Sequence, residues 1–367
     1  MIGYSGWIGH RNIGDEAIYQ ANVQLFPEFN LHDASKLSDY DHLIVGGGTI
    51  FPKFAVIQDN LAAGQTNHAL GVGVRNPSFW NQSFGSFDMG YLLEKYGTKR
   101  LFANPTARYL LRGVGQRTDS VTTQPHVVSS ADFNRIRQFD FDFIGVRGPI
   151  SHDILSLNGI PSRIVGDTAL MLRPTEYSQS ASNKIAVTLR SGDYQWDSDG
   201  SYRDRVIEFC QRHQAEYDFV FLPFYPPDLQ VCIDAVDQIE SAYLVDYCTQ
   251  VDVQATIDLI ASCDLVISDK LHATVLAACC SVPFISLEYR PKNLDFAQSV
   301  GMEAFNIRSD RVTVDRLEER ASRALGSDIL SNQLEDRVEL YRTRLTSATQ
   351  AITSMINSCR TGVVEQG

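Results

Sequence analysis

Leu265-Val266-Ile267-Ser268-Asp269-Lys270-Leu271-His272-Ala273-Thr274-Val275-Leu276-Ala277-Ala278-Cys279-Cys280 is the stretch whose reading decides the fold. Leu265 to Ile267 are apolar and β-branched-rich, as a short strand buried on both faces requires. Polar residues then make a turn, and the small and apolar run Ala273 to Cys280 is long enough for a helix. Strand, polar turn and helix form the repeating unit of a parallel sheet. The unit recurs along the chain. His42 to Val45 ends in Gly46-Gly47-Gly48. Phe143 to Val146 runs through Arg147-Gly148 into a helix that Pro149 opens at its first position. Phe284 to Leu287 leads to Tyr289-Arg290-Pro291-Lys292.

The alternation predicts an α/β protein with two Rossmann-like domains facing a cleft. A polar stretch from Arg173 to Asn183, carrying Pro174 and several serines, separates the two series. Residues 1–175 form the expected first domain and 184–325 the second. A long polar helix over 326–358 is expected to pack back on the first domain. Ligands in such folds bind beyond the carboxyl ends of the strands, so the turns carry the chemistry.

Each turn has a plain structural reading beside a functional one. The loop Gly6 to Glu16 is either a tight turn or a ligand loop, and Asp15 can cap the helix expected over Asp15 to Leu25. Gly46-Gly47-Gly48-Thr49 either allows close packing or presents backbone N–H groups to an anion or a sugar hydroxyl. Arg147 reads as a structural ion pair or as a fork for carboxylate or phosphate. His272 falls near a helix N-terminus, where the dipole disfavours its cation, and reads as a structural imidazole or a general acid. Lys292 reads as a solvated surface charge or a point charge for a phosphate.

Composition limits the partners. The formal net charge of -12 excludes duplex nucleic acid as a main partner but leaves room for a small anion in a locally cationic cleft. No apolar run is long enough to span a membrane, and no basic-then-apolar leader opens the sequence. The 7 cysteines include no CxxC and read as buried reduced thiols, which implies the cytoplasm. The acids and histidines lack metal-ligand spacing.

Taken in order, several strings resemble the polysaccharide pyruvyltransferase family. These are Asn12-Ile13-Gly14-Asp15-Glu16-Ala17-Ile18, the Gly46 to Gly48 turn, Gly71-Val72-Gly73-Val74, Gly145-Val146-Arg147-Gly148-Pro149, Gly166-Asp167-Thr168-Ala169, Ser268-Asp269-Lys270-Leu271-His272-Ala273 and Tyr289 to Lys292. The resemblance runs from about Gly6 to Gly301. It implies the two-domain glycosyltransferase-like fold called GT-B. It also implies transfer of pyruvate from phosphoenolpyruvate to a sugar hydroxyl pair of a cell-surface polysaccharide or its precursor, as a ketal. Phosphoenolpyruvate is then a co-substrate and no cofactor is needed.

On that reading Arg147, His272 and Lys292 contact the donor and carry catalysis, with Lys270 and Ser268 beside them. His272 would protonate the donor's methylene carbon. Asn12, Asp15, Gly47, Gly48, Thr49 and Arg75 fall on the acceptor side, and Asp15 or Asp269 would serve as base. Two positions depart from the family's pattern: Lys270 stands where Arg is common, and Arg75-Asn76-Pro77 alters the continuation of Gly71 to Val74. The other expectations kept open are a nucleotide-sugar-dependent glycosyltransferase and a non-catalytic sugar-binding protein. Expected partners are phosphoenolpyruvate, a sugar or glycan acceptor and a second copy of the chain.

Overall fold

The computed structural model describes residues 1–29, 31–33, 37–47, 49–51, 65–74, 141–176, 182–192 and 200–364. The first sheet contains β1 (Ile2–Ser5), β2 (His32–Asp33), β3 (His42–Val45), β4 (Thr49–Phe51), β5 (Thr66–Val74), β6 (Phe141–Val146) and β7 (Arg163–Ile164). Its order is β2-β1-β3-β5-β6-β7, with β4 on β5. The second contains β8 (Lys184–Thr188), β9 (Asp218–Phe221), β10 (Ala242–Leu244), β11 (Leu265–Ser268), β12 (Phe284–Glu288) and β13 (Asn306–Arg308). Its order is β10-β9-β8-β11-β12-β13. Counted from its first strand this is 3-2-1-4-5-6, the doubly wound dinucleotide-fold order, with its switch point between β8 and β11. Every registered pair in both sheets is parallel. The predicted pair of Rossmann-like sheets is therefore present.

Among the described residues the helices are α1 (Ile13–Leu25), α2 (Pro149–Leu157), α3 (Tyr202–His213), α4 (Leu229–Val236), α5 (Val253–Ala261), α6 (Leu271–Cys279), α7 (Pro291–Val300), α8 (Val314–Ala324) and α9 (Asp328–Val364). Helix α1 starts two residues earlier than predicted. Asn12 is its N-cap, with Oδ1 accepting from the Gly14 N–H at 3.0 Å, so Asp15 is freed from the capping role assigned to it. Helix α6 likewise starts two residues before the predicted Ala273, which places His272 inside its first turn.

All nine residues of α6 are buried, which accounts for its lack of an amphipathic stripe. One face covers the second sheet. Other contacts reach α1 and the 3₁₀ turn Thr168–Met171 of the first series, where the Cys279 thiol donates to the Ala169 carbonyl at 3.3 Å. Helix α9 buries Leu334, Val338, Tyr341, Leu345, Ala348, Ile352 and Ile356 at helical spacing. Its buried Arg342 donates to the carbonyls of Leu170 at 2.7 Å and Leu172 at 2.8 Å. Near its start, the Gln333 amide reaches the Gly301 carbonyl at 3.4 Å. The helix thus touches elements on both sides of the polar stretch; residues 177–181 within that stretch lie outside the described residues.

Candidate functional site

Arg147 follows β6, and its backbone N–H is held by the Val72 carbonyl at 3.0 Å. Its side chain is 0% exposed. Nε donates to Asp167 Oδ2 at 2.6 Å, while Nη1 and Nη2 have no hydrogen-bond partner among the described residues. The structural reading of this Arg holds: one edge of the guanidinium is spent on Asp167, and the outer fork is left over. Asp167, also 0% exposed, accepts from the Ala169 N–H at 3.0 Å through Oδ1 and so caps the turn Thr168–Met171.

The same Asp167 Oδ2 lies 3.7 Å from His272 Nε2, an atom with no hydrogen-bond partner among the described residues. Helix α1 packs directly on this imidazole. A Cβ at Gly14 would stand 2.1 Å from His272 Nδ1, so only glycine permits the approach of α1. Burial, and then Arg147, Lys292 and Lys270, hold the His272 pKa down at about 3 against the opposing pull of Asp167. His272 is accordingly neutral at neutral pH in the unliganded protein.

Lys292 sits in the first turn of α7, 4.9 Å from the centre of the Tyr289 ring and hydrogen-bonded to the Tyr289 hydroxyl. Burial, Arg290 and Arg147 lower its pKa, and Tyr289 opposes them. It is half-buried rather than a solvated surface charge. Lys270 is drawn to Asp228 at 2.5 Å and lies 5.9 Å from the Tyr225 ring, so its ammonium serves an ion pair at the edge of the site. Ser268 is fully buried. Its hydroxyl bonds Thr188 and receives the Lys270 N–H at 2.8 Å, which shapes the turn. Asp269 is buried too and accepts from the Tyr202 hydroxyl at 2.6 Å and the Arg190 N–H at 3.0 Å.

Among the residues expected on the acceptor side, Asn12 has its Oδ1 occupied by the capping bond. Asp15 is buried, and burial raises its pKa to about 6 even though Lys292 and Arg147 pull it down. Gly47 adopts φ +85°, and a Cβ there would stand 3.6 Å from Asp15 Oδ1. Gly48, Arg75 and the side chain of Thr49 lie outside the described residues.

A further contact connects the elements that follow Arg147 and carry Lys292. Asp295, on α7 with Lys292, accepts from the Ile150 N–H at 2.8 Å and from the Ser151 hydroxyl at 2.6 Å, capping α2. A Cβ at Gly148 would stand 2.4 Å from Asp295 Oδ1, so the glycine after Arg147 lets this cap form.

Two residues had no role in the sequence reading. Asp167 joins Arg147 to His272, and its signals were its place after a strand and its string Gly166-Asp167-Thr168-Ala169 within the family resemblance, neither of which assigned it a role. Trp7, 47% exposed, packs against His10 at 4.9 Å and against Tyr225 of the second domain at 5.6 Å between ring centres. An exposed tryptophan at a glycine-rich turn was the signal available for it. Among the described residues no group of three or more His, Cys, Asp or Glu could hold a metal ion. Nor is any described helix long and apolar enough to cross a membrane.

No curated protein matches the chain in sequence. Solved structures similar to it include the glycotransferase of kitacinnamycin, at 9% identity, covering 96% of this chain and 98% of that one, TM-score 0.46. The wall teichoic acid polymerase TagF aligns at 12% identity over 100% of this chain and 90% of its own, TM-score 0.45. UDP-GlcNAc 2-epimerase from Methanocaldococcus jannaschii aligns at 13% identity over 93% and 99%, TM-score 0.46. The model of one family matches residues 125–291. Over that segment, which carries Arg147, Asp167, His272 and the residues up to Pro291, the chain is similar to the polysaccharide pyruvyl transferase family.

Proposed function

We propose that the chain transfers pyruvate from phosphoenolpyruvate to two hydroxyls of a sugar in a polysaccharide or its precursor. The observation that carries this reading is the buried, half-satisfied fork of Arg147 beside the neutral imidazole of His272 and the ammonium of Lys292. A carboxylate fits the planar fork, and a buried guanidinium edge without a partner is costly until an anion meets it.

The chemistry balances on these residues. One sugar hydroxyl adds to the enol carbon, losing its proton to a base, while the methylene carbon gains a proton from an acid. The second hydroxyl then displaces phosphate from the same carbon and gives up its proton to the departing phosphate, leaving the ketal and inorganic phosphate. Asp15, with its pKa near 6, suits the base; a carboxylate of ordinary acidity would be weaker. His272 suits the acid once the donor is bound. The donor's negative charge opposes the two influences, burial and neighbouring cations, that keep the ring neutral in the empty site. The exposed ring of Trp7 offers a sugar an apolar face at the same cleft.

Mass spectrometry of candidate glycan acceptors after incubation with phosphoenolpyruvate tests the reading. A pyruvyl mass increment with release of phosphate is expected. Transfer of a sugar from a nucleotide-sugar instead would overturn it. Activity should also persist in excess EDTA, and loss of turnover restored by one divalent ion would show that a metal takes part.

A further inference from the structure

The hydroxyl of Tyr4 is a buried polar group that the steps above leave unused. Tyr4 lies on β1 and is 0% exposed, and its hydroxyl has no hydrogen-bond partner among the described residues. The tip of the ring fits between two glycine turns. A Cβ at Gly6, after β1, would stand 2.5 Å from Cε1 and 2.7 Å from the hydroxyl oxygen. A Cβ at Gly46, after β3, would stand 2.8 Å from Cε2 and 2.8 Å from the same oxygen. Any side chain at either turn would collide with the phenol. In the sheet order β1 lies between β2 and β3, so these two turns flank the point where the strand order reverses. The carboxyl ends of strands at such a switch point are where open parallel sheets take ligands.

Asp15 faces the same place from α1. A Cβ at Gly47 would stand 3.7 Å from the Tyr4 hydroxyl and 3.6 Å from Asp15 Oδ1, so phenol and carboxylate border one side of the same glycine. The two groups are complementary. Burial, then Asp15, Asp167, Tyr19 and Glu16, push the Tyr4 pKa well above its ordinary value, so the phenol keeps its proton and can donate. An ionised Asp15 carboxylate can only accept. Burial disfavours that ionised form; Lys292 and Arg147 offset part of the penalty, and Asp167 and Glu16 add to it. Phenylalanine would fill the space of Tyr4 without burying an unmet hydroxyl, which is destabilising by itself. The hydroxyl is thus a liability to the fold that is relieved when the neighbouring carboxylate turns to it.

We propose that Tyr4 is a positioning residue for Asp15: its hydroxyl, lodged between the turns after β1 and β3, donates to the ionised carboxylate and holds it in place to take the proton of an attacking hydroxyl. The pairing rests on the pyruvyl-transfer reading only for the identity of that attacking hydroxyl.

The test is an NMR titration of the full-length protein with isotope-labelled aspartate carboxyl carbons, Asp15 being assigned through Asp15→Asn. Tyr4→Phe should place the Asp15 midpoint about one pH unit above that of wild type, because loss of a donor disfavours the ionised form. Its melting temperature should be unchanged or higher. With donor and acceptor present, the acidic limb of the pH profile of kcat should move upward by the same interval, while the affinity for phosphoenolpyruvate stays as in wild type. A reciprocal measurement needs no change at Tyr4. With the tyrosine Cζ carbons labelled, one resonance of wild type should follow the Asp15 midpoint and cease to do so in Asp15→Asn. A shifted midpoint in a protein that transfers no pyruvate would leave the pairing standing and sink the pyruvyl-transfer reading. Equal Asp15 midpoints in wild type and Tyr4→Phe overturn the proposal, and so does a wild-type spectrum in which no tyrosine resonance follows Asp15.

Discussion

His272 and Asp15 face the same cleft, and burial moves them in opposite electrical senses: the imidazole is kept neutral and the carboxyl is kept partly protonated. His272→Gln keeps a polar side chain but cannot deliver a proton. Turnover should fall by about 100- to 10,000-fold, with donor affinity changed much less, as single-turnover and equilibrium measurements can separate. Near-normal turnover in His272→Gln would remove His272 from the role of acid. Arg147 requires a different substitution from the one its sequence position suggests. Removing it leaves Asp167 buried without its partner, at a cost of about 3–5 kcal/mol, so Arg147→Ala reports on folding as well as on binding. Arg147→Lys keeps the charge and loses the fork; it should weaken donor binding with a smaller fall in melting temperature.

Glu288 is a residue-scale test of the fold outside the reaction. It is fully buried, Oε2 accepts from the Asn306 amide at 2.8 Å, and burial raises its pKa from 4.5 to about 8. Its folded pKa exceeds its unfolded one, so its contribution to stability is present below pH 4.5 and lost as the pH rises through about 8. Glu288→Gln should match wild type in melting temperature near pH 4.5 and exceed it increasingly toward pH 8.5. A constant difference across that range would contradict the protonation assigned to Glu288.

At the scale of elements, the strands and the turns after them were legible because apolar runs and glycine or proline punctuation are local signals. His42 to Val45 and the unit around Leu265 emerge within a residue or two of their predicted ends. The start of α1 was misplaced because Asn12 and Asp15 are both competent caps, and only the tertiary contact of the Ile13 N–H with the Phe224 carbonyl at 3.0 Å fixes where the chain turns. Strand β10, Ala242–Leu244, was not read from the sequence: it is only partly buried and carries no β-branched run of the kind that marks β11. The role of Asp167 was illegible for another reason: its partners lie 20 residues before it and far downstream in the other domain, and no local pattern records such a pairing.

The Asp295 cap on α2 is an element-scale prediction of the same kind. Asp295→Ala removes the acceptor for the Ile150 N–H and the Ser151 hydroxyl, and should destabilise the protein by about 0.5–2 kcal/mol or more, measured by denaturant unfolding. An unchanged midpoint would mean that water replaces the carboxylate fully.

Across the whole molecule, the two sheets are held by shared packing around α6, by the Asp295 cap and by α9, which reaches both sides of the polar stretch. Arg342→Ala leaves the carbonyls of Leu170 and Leu172 without their donors, and a buried acceptor left unsatisfied costs about 1–3 kcal/mol. Cooperative unfolding at a lower midpoint is the expected result. This architecture sets Arg147 and Asp15 from the first series of elements against His272 and Lys292 from the second, so on the proposed reading a dianionic or trianionic donor bound there would also link the two series. Binding such an anion should pull a proton onto His272, because the ring is neutral when the site is empty and surrounded by negative charge when it is full. Calorimetric titration with phosphoenolpyruvate in two buffers of different ionisation enthalpy measures that proton directly. The account predicts binding with net proton uptake in wild type, loss of the uptake in His272→Gln, and roughly ten- to hundred-fold weaker binding in Lys292→Ala. No binding of phosphoenolpyruvate, or binding whose affinity and proton uptake are the same in all three proteins, would contradict it.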